Sequence, residues 1–328
     1  MGDFNSLPGS PVDRLLREEG PDHAAGILAA ELDAVPTEDR VRLMAGLRRA
    51  RRRHALLIAL CDLEGRWPLE RVTGALTALA ELKRRGKRLV VLSNSGRRAA
   101  LNRRRLVEMG LEVAMFDAVV TSGEAAWGLL SQRSQPGFRE LGRRCVLFTI
   151  GGDRGVLDDL GIEVVEEPED ADFLFNTGLE IPPRTLDDYR GILERAARRR
   201  LPMVCSNPDR VAPSHGKLIT APGTVAALYE EMGCTVLYVG KPHAPIYQAC
   251  LEALSGLAPT EIVAVGDSVE HDVRGAQGVG IDACFVTSGI HKDEFPVEAS
   301  QAEVERRLSE LSRRHGAWPR WVVPQLAW

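Results

Sequence analysis

The sequence predicts an α/β fold: a Rossmann-like parallel sheet with a second α/β domain inserted into it. Three observations point there. From His54 onward, short apolar runs alternate with amphipathic stretches of helical period, the pattern of repeated strand–helix–strand units. A chain of 328 residues suits two domains of roughly 150 residues each. Between about 144 and 221 lie further strands with their own helices, and Pro182-Pro183 and Pro213-Ser-His-Gly216 supply turn signals within that stretch and near its end. The division that results is a helical N-terminal extension over 1–53, a core over 54–143 and 222–328, and an inserted domain over 144–221.

Taken in order, 11–53 reads as helical from Val12, Leu15 and Leu16, then 24–32, then 41–47, ending in the run LRRARRR. An arginine run can bind phosphate or nucleic acid, but next to acidic segments a solvated helix face is the preferred reading. Strands are expected at 56–61, 89–92, 118–121, 146–150, 173–175, 202–205, 236–239, 262–265 and 283–286. Helices are expected at 71–85, 97–109, 186–199, 224–232 and 246–254. The tail WPRWVVPQLAW carries three of the five tryptophans and two prolines, so it is expected to pack non-helically on the body or on a sister subunit.

Composition excludes several classes. Apolar residues at 44% and charged residues at 27% describe a globular chain, neither disordered nor fibrous. The longest apolar run, 55–61, falls far short of the ~20 residues of a membrane helix, and the first residues carry acid and proline where a signal peptide is cationic and then apolar. MGDFNS fits a loose myristoylation pattern, yet the chain otherwise reads as soluble and cytoplasmic, with no membrane partner. A net charge of −4 gives no general attraction to nucleic acid or anionic lipid. Six scattered cysteines without C-x-x-C spacing read as buried reduced thiols.

Four expected strand ends carry groups suited to chemistry, and open parallel sheets hold ligands at strand carboxyl ends. Asp62-Leu63-Glu64-Gly65 follows the apolar run ALLIAL, although acids also cap helices there. Ser93-Asn94-Ser95-Gly96 follows RLVVL and opens a helix, which suits a phosphate oxygen or simple N-capping. Gly240-Lys241-Pro242-His243 places one of only five lysines beside a strand end. Gly266-Asp267-Ser268, with Asp272 five residues on, offers two carboxylates suited to a hard cation such as Mg²⁺.

The order Asp, Ser-Asn, Lys, Gly-Asp…Asp resembles the four motifs of the haloacid dehalogenase-like (HAD) superfamily, over about 56–290. GDSVEHD is the most specific part. The insertion between the second and third motifs, CSNPDR near its end, GKPHAPIY around the lysine, and VTSG at 120–123 and 286–289 resemble class IIA, whose cap is an α/β domain of C2 type. The resemblance implies a Mg²⁺-dependent phosphomonoesterase acting on a small phosphorylated metabolite. Asp62 would be the nucleophile, with Mg²⁺ held by Asp62, the Glu64 carbonyl, Asp267 and, in support, Asp272. Ser93 and Lys241 would hold phosphoryl oxygens, and Asn94 would line the entrance. In the cap, Asn207, Asp209 and Arg210 would shape substrate choice or form a turn with a cap–core salt bridge.

One departure stands out. Where most HAD phosphatases have aspartate two residues after the nucleophile, this chain has Glu64, followed by Arg66-Trp67 and a short loop. The resulting alternative is a catalytically weak HAD-fold protein retained for binding or assembly. Cleavage of C–Cl or C–P bonds is disfavoured by the cap type and by the lack of a lysine suited to Schiff-base chemistry. IGGDRG at 150–155 lacks dinucleotide-binding spacing, and His243 and His271 lack a paired-ligand pattern, so structural or entrance roles are preferred for both. Homo-oligomer formation, which class IIA relatives often show, stays open.

Overall fold

A computed structural model describes residues 55–59, 69–108, 111–180, 185–214, 217–296 and 299–324. The expected N-terminal helices and the turn bearing Asp62 and Glu64 lie outside these residues. The chain falls into two units. The first comprises residues up to 56, 67–88 and 257–328, and the second comprises 57–66 and 89–256.

Strand β1 (Ala55–Ala59) and helix α1 (Leu69–Arg84) come first. Strand β2 (Arg88–Ser93) is buried from its second residue onward; α2 (Ala99–Glu108) and β3 (Ala118–Thr121) follow, and β3 runs parallel to β2 with Val91 opposite Val119. Helix α3 (Ser122–Gln132) starts where the Thr121 hydroxyl accepts the Glu124 N–H, a side-chain N-cap.

Next come β4 (Arg144–Phe148), β5 (Glu163–Val164), β6 (Phe173–Asn176), α4 (Leu186–Arg198) and β7 (Met203–Cys205). Thr185 and Asp188 form a reciprocal cap at the start of α4. A hairpin of β8 (Val211–Ser214) and β9 (Lys217–Thr220) leads to α5 (Pro222–Glu231), β10 (Val236–Tyr238) and α6 (Ala244–Ala253). Five of these strands form a parallel sheet in the order β10-β7-β6-β4-β5. Every residue of β6 (FLFN) is buried, as expected of a strand covered on both faces. Leu174, Leu193, Met203 and Tyr229 sit at the centre of its core, and the Tyr229 hydroxyl donates to the Leu201 carbonyl at 2.8 Å.

The first unit continues with β11 (Ile262–Gly266), α7 (Arg274–Gly278), β12 (Asp282–Val286), α8 (Gln301–His315) and β13 (Trp321–Val323), with β11, β12 and β13 in parallel register. Ser300 and Glu303 cap the start of α8, and Gly316 ends it in the left-handed region at φ 66°.

Two placements differ from the sequence reading. The strand at 236–239, expected in the core beyond 221, pairs with β7 in the five-stranded sheet, and α5 packs into that sheet's core. The helix between β7 and β10 makes a parallel crossover, so the chain returns beside β7; Pro213 and Ser214, which suggested a boundary, belong to strand β8 of the hairpin. The tail does pack non-helically on the body, as expected: Trp321–Val323 adds a parallel strand to β12. Among the described residues no helix is long and apolar enough to cross a membrane. The five described cysteines are free thiols, and burial pushes Cys145 and Cys284 up to about 12, too high for thiolate chemistry at neutral pH.

Candidate active site

In the second unit, the ends of β2, β6, β7 and β10 meet one another closely. Ser93 closes β2, is nearly fully buried, and accepts the Ser95 N–H at 3.2 Å. Gly96 is needed three residues after Ser93. A Cβ there would lie 1.8 Å from the Thr177 carbonyl oxygen just past β6, closer than atoms approach. The neighbouring Ser95 carbonyl accepts both the Ser122 hydroxyl at 2.9 Å and the Gly123 N–H at 3.1 Å. These bonds fasten the SNSG turn to the start of α3.

Asn94 is 6% exposed, and its side chain is engaged with two distant parts of the chain. Its Nδ2 donates to Asp209 Oδ1 at 2.8 Å and to the Lys241 carbonyl at 3.1 Å, and its Oδ1 accepts the Lys241 N–H at 2.6 Å. The expectation that Asn94 lines an entrance therefore gives way to a buried bridge: the amide that would have faced a ligand is bonded to the protein on both sides. Lys241 follows β10 and is 2% exposed. Gly240 before it is required, since a Cβ would press on Pro208, on the Ser206 carbonyl and, at 2.7 Å, on Asn94 Oδ1.

Asn207, Pro208 and Asp209 form a turn in which Asn207 Oδ1 accepts the Asp209 N–H at 3.0 Å. The Asp209 carbonyl accepts the Gly223 N–H at 2.8 Å, which anchors the turn to the start of α5. Arg210 is exposed, and its carbonyl accepts the Ala221 N–H at 3.0 Å. His243 N-caps α6, and its ring stacks on Tyr238 with centroids 4.6 Å apart and planes 8° from parallel. Burial, and then the bond to Glu230, hold the Tyr238 phenol above its ordinary range, so it stays a neutral donor. Of the expected site residues, Ser93, Asn94, Lys241, Asn207, Asp209 and Arg210 all belong to these turns or their immediate flanks.

In the first unit, Asp267 and Asp272 follow β11. Asp272 Oδ2 accepts the Ser268 N–H at 3.0 Å, and the Ser268 hydroxyl accepts the His271 N–H at 3.1 Å, where 269–273 wind as one π-helical turn. The His271 ring Nδ1 lies 3.0 Å from the same Ser268 hydroxyl. Asp267 Oδ2 accepts the Ile290 N–H at 2.8 Å, and a Cβ on Gly289 would fall 1.9 Å from that same oxygen. Sequence reasoning noted VTSG at 286–289 without giving it a task; its glycine lets the backbone cradle Asp267. No group of three or more His, Cys, Asp or Glu suited to hold a metal occurs among the described residues, and Asp62 and Glu64 lie outside them.

Parallel strands whose carboxyl ends carry a hydroxyl turn, a buried lysine and a Gly-Asp loop define an α/β protein with its chemistry at strand ends. Comparison with known proteins makes this specific. Models described as HAD-hyrolase-like and as haloacid dehalogenase-like hydrolase match residues 238–326, 68–163 and 131–280. The sugar-phosphatase AraL of Bacillus subtilis is 30% identical over 229 residues, covering 68% of this chain and 79% of that protein. An acid sugar phosphatase of Staphylococcus epidermidis is 25% identical over 266 residues, 77% of this chain and 97% of its own. A crystal structure of a haloacid dehalogenase-like hydrolase from Brucella suis superposes with a TM-score of 0.68 at 26% identity, covering 84% of this chain and 96% of that one. The chain belongs to the haloacid dehalogenase-like hydrolase family. A model of glutamate-ammonia ligase adenylyltransferase also matches 12–88, most of which lies outside the described residues.

Proposed function

We propose that this protein is a divalent-cation-dependent phosphomonoesterase acting on a small phosphorylated metabolite of the sugar-phosphate kind. The observation that carries the reading is Lys241, buried at a strand end with its backbone gripped by the asparagine of the SNSG turn. A fixed cation beside a hydroxyl turn suits a phosphoryl group, whose developing charge is best stabilised by preorganised donors. The relatives named as sugar phosphatases support the substrate class.

In the proposed reaction the Asp62 carboxylate attacks phosphorus, the ester P–O bond breaks, and the leaving oxygen takes a proton from Glu64. Water then attacks the aspartyl-phosphate, Glu64 takes back a proton, and orthophosphate leaves. Ser93 and Lys241 hold non-bridging oxygens, while Asp209 and Arg210 face the rest of the substrate. The carboxylate oxygens of Asp267 and Asp272 have the hard-donor chemistry that Mg²⁺ takes, together with Asp62 and the Glu64 carbonyl. When bound, the cation would offset repulsion between nucleophile and phosphate.

A second reading, a HAD-fold protein of weak turnover kept for binding or assembly, is favoured by Glu64 and Arg66. A screen of phosphate esters with and without Mg²⁺ separates the two. The first reading expects cation-dependent release of orthophosphate that Asp62→Asn abolishes. Undiminished release by that variant would remove the mechanism, and none from the wild type would leave the second reading.

A further inference from the structure

We infer that Asn94 is a positioning residue that couples the Asp209 turn to the placement of Lys241, and that it does not itself bind substrate; this rests on the reading of Lys241 as the phosphoryl-holding lysine. An asparagine side chain offers two N–H donors and one carbonyl oxygen. Here both donors are used, on Asp209 Oδ1 and the Lys241 carbonyl, and the oxygen takes the Lys241 N–H. Both sides of the Lys241 backbone are thus held by one amide, so the register of the lysine follows the orientation of that amide.

The orientation is set in turn by Asp209. Without an acceptor at 2.8 Å, the Asn94 NH₂ group has only the longer bond to the Lys241 carbonyl to direct it. The Asp209 turn is itself fixed. Gly223 donates to its carbonyl, and a Cβ on Gly223 would lie 1.9 Å from the Pro208 carbonyl oxygen, so α5 starts hard against the turn. The chain of contacts runs from the start of α5 through Asp209 and Asn94 to Lys241. The carboxylate at its middle is half-buried, where substrate hydroxyls could compete for it. A substrate that draws on Asp209 therefore acts on Lys241 through Asn94.

The test compares Asn94→Ala, Asp209→Ala and Asp209→Asn with the double variant Asn94→Ala/Asp209→Ala. Steady-state kinetics use p-nitrophenyl phosphate and a sugar phosphate with Mg²⁺; amide hydrogen exchange is followed over 239–246. Asn94→Ala is expected to lower kcat by about 100-fold with little change in KM, the scale of a misplaced catalytic group. Asp209→Ala is expected to lower kcat by about tenfold, the scale of one lost hydrogen bond to a charged group. Asp209→Asn keeps an acceptor oxygen for Asn94, so its kcat is expected to lie well above that of Asp209→Ala, with the altered substrate contact appearing in KM. In the double variant, loss of Asp209 should add nothing to loss of Asn94. Exchange over 239–246 should quicken in Asn94→Ala and Asp209→Ala but not in Asp209→Asn.

Equal impairment of Asp209→Asn and Asp209→Ala, multiplicative effects, or exchange indifferent to all three changes would overturn the coupling. Should Asn94→Ala not fold, the two Asp209 variants, changed on a half-exposed turn, decide it alone. A wild type inactive on every ester overturns the proposed function instead, and the exchange pattern still decides whether Asn94 couples the two turns.

Discussion

The two groups of strand-end residues are built on opposite plans. Among the described residues, the bonds around Asp267 and Asp272 include two of short range, Ser268 to Asp272 and Ser268 to His271, beside that of Ile290 to Asp267, 23 residues apart. Around Lys241 the decisive bonds join residues 115 and 147 positions apart, Asn94 to Asp209 and Asn94 to Lys241. The first joins the loop after β11 to the segment just past β12. The second exists only when three turns have docked, so it is more exposed to distant change and better able to sense it.

Breaking the first plan at its centre should have the largest effect after loss of Asp62 itself. Gly289→Val places carbon atoms where Asp267 Oδ2 sits, and is expected to cost at least about 100-fold in kcat by displacing that carboxylate. Steady-state kinetics across a Mg²⁺ titration will show this, and unchanged rates would mean that Asp267 is not needed where it stands. Glu64→Asp comes next. If the longer acid is misplaced, the rate should rise toward the 10²–10⁴-fold that a general acid contributes, whereas a fall identifies glutamate as the working residue.

The second plan should break through packing. Gly96→Ala sets a methyl against the Thr177 carbonyl, and about 1–3 kcal/mol of stability should go, measured by urea unfolding, with kcat falling in parallel. The smallest effect is expected at Glu124. Burial raises this carboxyl, but the bonds from Arg98 and the Ala99 N–H outweigh it, so it titrates below its ordinary value. A lowered folded pKa gives stability that is present above the unfolded pKa and lost as pH falls through the folded one. Glu124→Gln should therefore cost on the order of 1 kcal/mol or less at neutral pH, since the pair is partly solvated, and converge with the wild type in acid.

The same contrast explains what was legible beforehand. Strands such as Ala118–Thr121 and Ile262–Gly266 were readable because buried parallel strands are short apolar runs between turn signals. GDSVEHD was readable because its bonds span three or four residues, so its spacing records its geometry. Asn94 was found but misplaced: the residue type suits both ligand binding and backbone bridging, and its partners are far away in sequence. The helices Ser122–Gln132 and Gln301–His315 were missed. The first is apolar and rich in small residues with little periodic contrast, whereas the second does carry Val304, Leu308 and Leu311 at helical spacing behind the Ser300–Glu303 cap, a stripe that the sequence shows. The tail strand was missed because three residues framed by proline and arginine carry almost no strand signal.

That last strand has a practical consequence. The Thr287 N–H donates to the Val323 carbonyl and the Ser288 N–H to that of Pro324, two residues and one residue before the glycine that cradles Asp267. Residues 323 and 324 thus buttress an acid more than fifty positions upstream. On the proposed function, a preparation clipped after Arg320 should bind Mg²⁺ more weakly while keeping its helical content.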